Sequence, residues 1–262
     1  MNNPVCFISH GGGPLPLFDD AAHRELVAVL QQLAGCIGRP SAILIISAHW
    51  EAAQPTVTTA VRPGLLYDYY GFPDEAYRVR YPAPGSPALA ETVCECLHTA
   101  DFTPARDAQR GLDHGVFVPL TLMYPAADIP CVQLSLLGDL DPARHIALGR
   151  ALAALPPSNT LVLGSGFSFH NMRAFMAASP DTQAQNRAFE DWLVQTCSNP
   201  ALDEATRAQR LAGWAQAPGA RFCHPREEHL LPLHVCYGAA GRAAREVLRF
   251  RVYGVETSAY LW

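Results

Sequence analysis

The side chains best equipped for chemistry in this chain are its 10 histidines. Imidazole both ligates metals and exchanges protons near neutral pH. Three histidines share a placement. His10 follows PVCFIS, His49 follows AILIISA and His170 follows TLVLGSGFSF, each an apolar run that reads as a core strand. In an open parallel sheet the carboxyl ends of the strands form the ligand-binding edge. Three imidazoles delivered to that edge would build a metal or proton-transfer site from distant sequence.

Two further segments add candidates. In His224-Pro225-Arg226-Glu227-Glu228-His229, His229 stands at the start of a predicted helix and is a ligand candidate. His234 lies about 500° further round that helix at ~100° per residue, so the two do not share a face. The spacing is not HExxH. His234 reads as a helix-surface or supporting residue, and His224 as a supporting partner or a helix entry. In Gly111-Leu112-Asp113-His114-Gly115, Asp113 is placed to cap the following helix. The helix dipole would then keep His114 a neutral donor facing a cleft. His23, His98 and His145 fall on the polar sides of predicted helices and read as surface.

The elements that must position these residues alternate. Strands are expected at 4–9, 42–48, 56–60, 77–81, 131–136, 160–164 and 247–252. Helices are expected at 21–34, 86–99, 116–123, 141–154, 184–197, 201–211 and 227–240. This order predicts an α/β fold with a central, mostly parallel or mixed sheet flanked by helices, in a single catalytic domain over 1–262. The proline- and glycine-rich stretch 61–85 reads as an ordered surface loop. Its Tyr67, Tyr69, Tyr70 and Phe72 either wall an aromatic pocket or clamp the loop.

Composition narrows the function. All 19 basic residues are arginine. Without lysine there is no Schiff-base chemistry and no standard Walker A loop. The net charge of −5 and the lack of a basic run argue against nucleic-acid binding. The eight cysteines form no CxxC pair and read as buried thiols in a reducing cytosol. The N-terminus does not resemble a signal peptide, and no apolar run approaches the ~20 residues that span a bilayer. A cytoplasmic protein is expected, with homo-oligomer formation left open.

Six motifs then occur in one order: Ser9-His10-Gly11-Gly12-Gly13-Pro14, Ile46-Ser47-Ala48-His49-Trp50, Tyr67-Asp68-Tyr69-Tyr70-Gly71-Phe72-Pro73, Leu112-Asp113-His114-Gly115, Gly164-Ser165-Gly166 with Ser168 and His170-Asn171, and Glu228-His229 with Pro232-Leu233. Together they resemble the class III extradiol ring-cleavage dioxygenases, in the DOPA 4,5-dioxygenase branch, over about residues 5 to 255. The resemblance implies a non-haem Fe(II) centre and insertion of O2 beside a catechol diol to give a semialdehyde. It makes His10, His49 and His229 the metal ligands and His170 the acid–base residue, which in some members reaches the metal as a fourth ligand. His114 would face substrate and oxygen, and Tyr67, Tyr70 and Phe72 would bind substrate. Where the protocatechuate-cleaving members carry Glu as third ligand, the matching residue here is His229. Three imidazoles suit iron or zinc, so a purified sample could hold Zn. The competing readings are a zinc-dependent hydrolase on the same site and an inactive metal-binding relative.

Overall fold

In the computed structural model, which describes residues 3–175 and 179–262, the centre of the sheet is built from strands with almost no solvent on either face. These are β1 (Val5–Ser9), β2 (Ala42–Ala52), β5 (Cys131–Leu137) and β6 (Thr160–Gly166), whose apolar runs are buried nearly throughout. Runs of that kind, rather than alternating ones, belong to parallel strands covered on both sides. With β3 (Thr56–Thr58), β4 (Ala105–Asp107), β7 (Glu246–Val252) and β8 (Val255–Leu261) they form a mixed eight-stranded sheet in the order β4-β3-β5-β2-β6-β1-β8-β7. The four central strands β5-β2-β6-β1 run parallel, so their carboxyl ends share one edge.

The described helices are α1 (Arg24–Ile37), α2 (Pro87–Thr99), α3 (His114–Met123), α4 (Pro142–Leu152), α5 (Met172–Phe175), α6 (Pro180–Ser198), α7 (Glu204–Ala212), α8 (Ala220–Cys223) and α9 (Leu231–Ala240). Their starts are legible in the sequence. Ser86 accepts a hydrogen bond from the Leu89 amide and Asp141 from those of Ala143 and Arg144, each just before a proline in the first turn. Among the described residues no helix is long and apolar enough to cross a membrane. All eight cysteines are free, and six are buried.

Several expectations are corrected. The stretch 77–81 is not a strand. Residues Asp74–Arg78 form a 3-10 turn, and the apparent alternation arises because Tyr77 turns its ring into a cluster with Tyr67 and Tyr69. The helix expected over 227–240 begins only at Leu231, leaving Glu228 and His229 in the turn ahead of it. Asp113 precedes α3, but its side chain does not cap that helix. The strand β8 was not foreseen. It pairs antiparallel with β7 through a two-residue turn at Tyr253 and Gly254, both with positive φ.

His23, His145 and His234 are fully buried rather than on the surface. Each ring has polar partners inside. The His145 Nε2 accepts from the Leu137 amide while its Nδ1 donates to the Asp141 carbonyl, which ties α4 to the end of β5. His234 donates from Nε2 to the Leu211 carbonyl. Burial lowers both to about 4, and lowers His224 to about 3. In the unfolded chain these groups would titrate near 6.5, so their contribution is complete above that pH and lost as pH falls toward 4. From pH 7 to pH 5 each costs about 2 kcal/mol of stability. The buried Glu190, raised by burial to about 7, works the other way and returns about 2 kcal/mol over the same interval. Lower stability is expected in urea unfolding at pH 5 than at pH 7, because His10, His49 and His229 are lowered as well and the lowered histidines outnumber the one raised carboxyl. An unchanged midpoint would contradict it.

Candidate active site

Five histidines meet at the carboxyl edge of the parallel strands. His10 directly follows β1, and its amide extends the ladder to the Gly166 carbonyl at 3.0 Å. His49 lies in an irregular part of β2, where register with β5 slips between Ile46 and Glu51. A bulge of this kind re-aims a side chain at a sheet end. His114 opens α3, and His170 follows β6. His229 is docked on the end of β6, where its carbonyl accepts from the Phe167 amide at 2.9 Å. Gly166 makes that contact feasible, because a Cβ there would stand 2.1 Å from the His229 carbonyl oxygen. Gly166→Ala is therefore expected to push the His229 turn outward and to lower metal content at least tenfold with the fold retained. Full metal content in that variant, measured by elemental analysis, would remove Gly166 from the account.

The rings are held from behind. His10 Nδ1 lies 3.1 Å from the Ser165 hydroxyl. That hydroxyl donates to the Gly115 carbonyl, so it must accept from His10. His229 Nδ1 donates to Glu228 at 2.9 Å. His49 Nδ1 faces Asp68 at 3.6 Å. For His10 and His229 the proton on Nδ1 leaves the Nε2 lone pair free, the usual supporting arrangement for a metal-binding imidazole, and Asp68 favours the same tautomer of His49. The His10 and His49 Nε2 atoms are 3.0 Å apart. Two lone pairs at that range repel each other, and the separation is that of neighbouring ligands on one ion with bonds of ~2.0–2.1 Å. The His229 ring centroid is 5.3 Å from that of His10 and 5.0 Å from that of His49. Ligand atoms of His10, His49 and His114 form one tight set, and those of His170, Glu228 and His229 a second. The donor set thus fits a bound cation.

Electrostatics agree. Burial, and then the neighbouring imidazoles, push His10 and His49 well below the usual histidine range. Burial and the His170 ring lower His229 to about 3 despite its bond to Glu228. Neutral imidazoles are the form that ligates metal. Burial pushes the Glu228 carboxyl up, but its contacts with His170 and His229 outweigh this and hold it well below the usual carboxylate range. Arg226 braces it, reaching both Glu228 and Glu51.

His170 stacks on His229 with ring centroids 3.4 Å apart, and its Nδ1 faces Glu228 at 3.5 Å. His114 differs from the sequence expectation. Asp68 accepts from both its Nδ1 at 2.8 Å and its amide at 2.9 Å. A neutral His114 therefore presents an acceptor, not a donor, to the cavity. Desolvation raises the Asp68 carboxyl, but the hydrogen bonds and charge of His114 bring it below its ordinary value. Asp113 is buried beneath this layer, accepting from Ser47 at 2.7 Å and Gln133 at 2.5 Å.

The histidines floor a cavity of about 440 Å³, within the range of small-molecule sites. Tyr70 and Phe72 line it, as expected, together with Tyr69. Tyr67 does not. Its hydroxyl donates to the Val79 carbonyl at 2.7 Å and its ring packs on Phe117, so it clamps the loop instead. Phe167, Phe175 and Tyr253 complete the wall and were not singled out from sequence. The one available signal was Tyr253-Gly254, a turn pair between two apolar runs. His224 is buried behind the site, its Nε2 donating to the Ser168 carbonyl at 2.8 Å.

Comparison with known proteins agrees with this geometry. Residues 5–261 match the family model described as the catalytic LigB subunit of aromatic ring-opening dioxygenase. The chain is 42% identical to "Dioxygenase tasH" of Hapsidospora irregularis, over 99% of this chain and 85% of the relative. It is 39% identical to a "4,5-DOPA dioxygenase extradiol" of Beta vulgaris, over 92% and 88%. A protein of the same name from Escherichia coli is 34% identical over 97% and 90%. The crystal structure of an uncharacterized protein from Escherichia coli K12 superposes with a TM-score of 0.78 at 28% identity, covering 99% of both chains. With five imidazoles converging beside an aromatic cavity and a family match across nearly its whole length, this chain belongs to the LigB family and is an extradiol ring-cleavage dioxygenase.

Proposed function

We propose that the chain acts as one catalytic unit that cleaves a catechol next to its diol at an Fe(II) centre held by His10, His49 and His229. The observation that carries this reading is the 3.0 Å approach of two Nε2 atoms whose opposite ring nitrogens are turned to fixed partners. When bound, the metal supplies a common template and electron conduit for diol and O2. The same three imidazoles accept Zn, which a purified sample can carry without turnover.

The protein's own residues handle protons and placement. His170 lines the cavity with Glu228 behind its Nδ1, so it accepts a proton from the diol and returns one later in the reaction, and Glu228 stabilises the charged ring between those events. His114 accepts a hydrogen bond from a substrate hydroxyl through Nε2. Once it holds that proton, it donates to negative charge developing on oxygen, with Asp68 balancing the imidazolium. Tyr69, Tyr70 and Phe72 bound the aromatic ring. Both atoms of O2 enter the product, so no other oxidant is consumed.

The test is O2 uptake by Fe(II)-loaded protein with a panel of catechols, read alongside a coloured ring-opened semialdehyde. Absence of uptake with every catechol would overturn the reading.

A further inference from the structure

Resting on that ring-cleavage reading, we infer that this enzyme takes an uncharged catechol with an apolar substituent and discriminates against catechols whose side chain ends in a carboxylate. The wall above the histidines is made by Leu15, Tyr69, Phe72, Phe167, Phe175 and Tyr253. The sequence has no lysine, so arginine is its only side chain with a permanent positive charge. Among the described residues that line this cavity there is no arginine. The free Nε2 atoms are assigned to the metal on His10, His49 and His229 and to the diol on His114, and His170 serves as its acid–base group, so no imidazole is spare as a counter-ion for a distant carboxylate.

The arginines next to the site belong to a neighbouring cavity. Arg173 and Arg226 line the adjoining cavity and not this one, the two sharing His170 and Met172. Arg226 is already taken, bound to both oxygens of Glu51 at 2.6 and 2.7 Å and to Glu228 at 3.2 Å. A carboxylate carried into the aromatic cavity would lose its water and gain no partner, which is costly in an apolar site. A substituent of methylenes would instead bury its surface on the rings.

Tyr253 supports the same conclusion independently. It sits at φ +53° in the β7–β8 turn, a left-handed conformation that bulky residues rarely adopt. Gly or Asn would suit the turn better. The ring earns its place by packing on His23 and Phe175, with centroids 4.9 and 5.5 Å away, and by closing the cavity on an apolar surface. Strain kept at a cavity wall points to selection for that wall.

The experiment compares propylcatechol with dihydroxyphenylpropanoate on the Fe(II)-loaded enzyme. The two differ only in a terminal methyl against a carboxylate. The expected result is a kcat/KM roughly 100-fold higher for propylcatechol. Anaerobic calorimetric binding of both compounds gives a readout free of turnover, and tighter binding of propylcatechol is expected there too. Met172, exposed at the rim of the cavity, offers the reciprocal test. Met172→Arg is expected to narrow the preference at least tenfold, mainly through KM for the carboxylate. Equal or better cleavage and binding of the carboxylate by the unaltered enzyme would overturn the inference while leaving ring cleavage standing. No O2 uptake with either compound or with catechol would instead overturn the ring-cleavage reading, and this inference with it.

Discussion

His49→Ala loses bound metal and ring-cleaving activity together. The side chain is one of two whose Nε2 atoms meet at 3.0 Å, and nothing else on β2 points to that centre with a free nitrogen. Removing it leaves His10 and His229 to hold an ion that needs at least a third protein ligand. Elemental analysis after anaerobic Fe(II) reconstitution is expected to show occupancy reduced to a small fraction, with O2 uptake reduced in step. The same measurement assigns the third ligand. His229→Ala is expected to lose the metal and His114→Ala to keep it, because Asp68 engages both the ring and the amide of His114. The opposite pattern would exchange their roles, since the ligand atoms of His114 group with those of His10 and His49 and its ring lies 4.0 Å from that of His49, against 5.0 Å for His229. Full occupancy and turnover in His49→Ala would refute its assignment.

His170→Ala separates chemistry from binding. The ring is half-buried at the cavity edge and makes no nitrogen contact with the His10 and His49 pair. The variant is expected to retain metal and bind catechol while kcat falls by about 10²–10⁴-fold, the usual weight of a positioned acid–base group. His170→Gln, which keeps polarity without proton exchange, should be no better. A pH–rate profile of the unaltered enzyme should show a limb that these variants lose. Retained turnover in His170→Ala would mean that another group moves the proton. Loss of metal in the same variant would make His170 a ligand.

Much of this was legible without a structure, and the reason lies in the local character of the signals. Uninterrupted apolar runs such as Ala42–Ile46 mark strands covered on both faces, and a histidine at the end of such a run must emerge at the sheet edge. His10, His49 and His170 do line one cavity at that edge, although β2 runs on through His49 to Ala52. His229 and His114 entered on motif context, and the structure brings both to the same edge. Periodicity read poorly where side chains were arranged by loop packing. Tyr77, Val79 and Tyr81 alternate in sequence like a strand, yet Tyr77 ends up in a 3-10 turn with its ring packed on Tyr67.

By itself the sequence determined the α/β alternation, the family and the histidines that converge. Tertiary structure alone decided how those histidines differ. His234 and His145 carry the same ring as His10, but their nitrogens are spent on backbone groups deep in the helical layer. Asp68 and Glu228 are set beside His49 and His170 by chain segments far from them in sequence, and the hydrogen bonds they accept from His114 and His229 fix which nitrogen of those two rings faces the centre. The absence of arginine among the described residues of the cavity wall is likewise invisible in a count of 19 arginines. A proton's position on an imidazole and the charge lining a cavity depend on neighbours in space, which spacing along the chain does not encode.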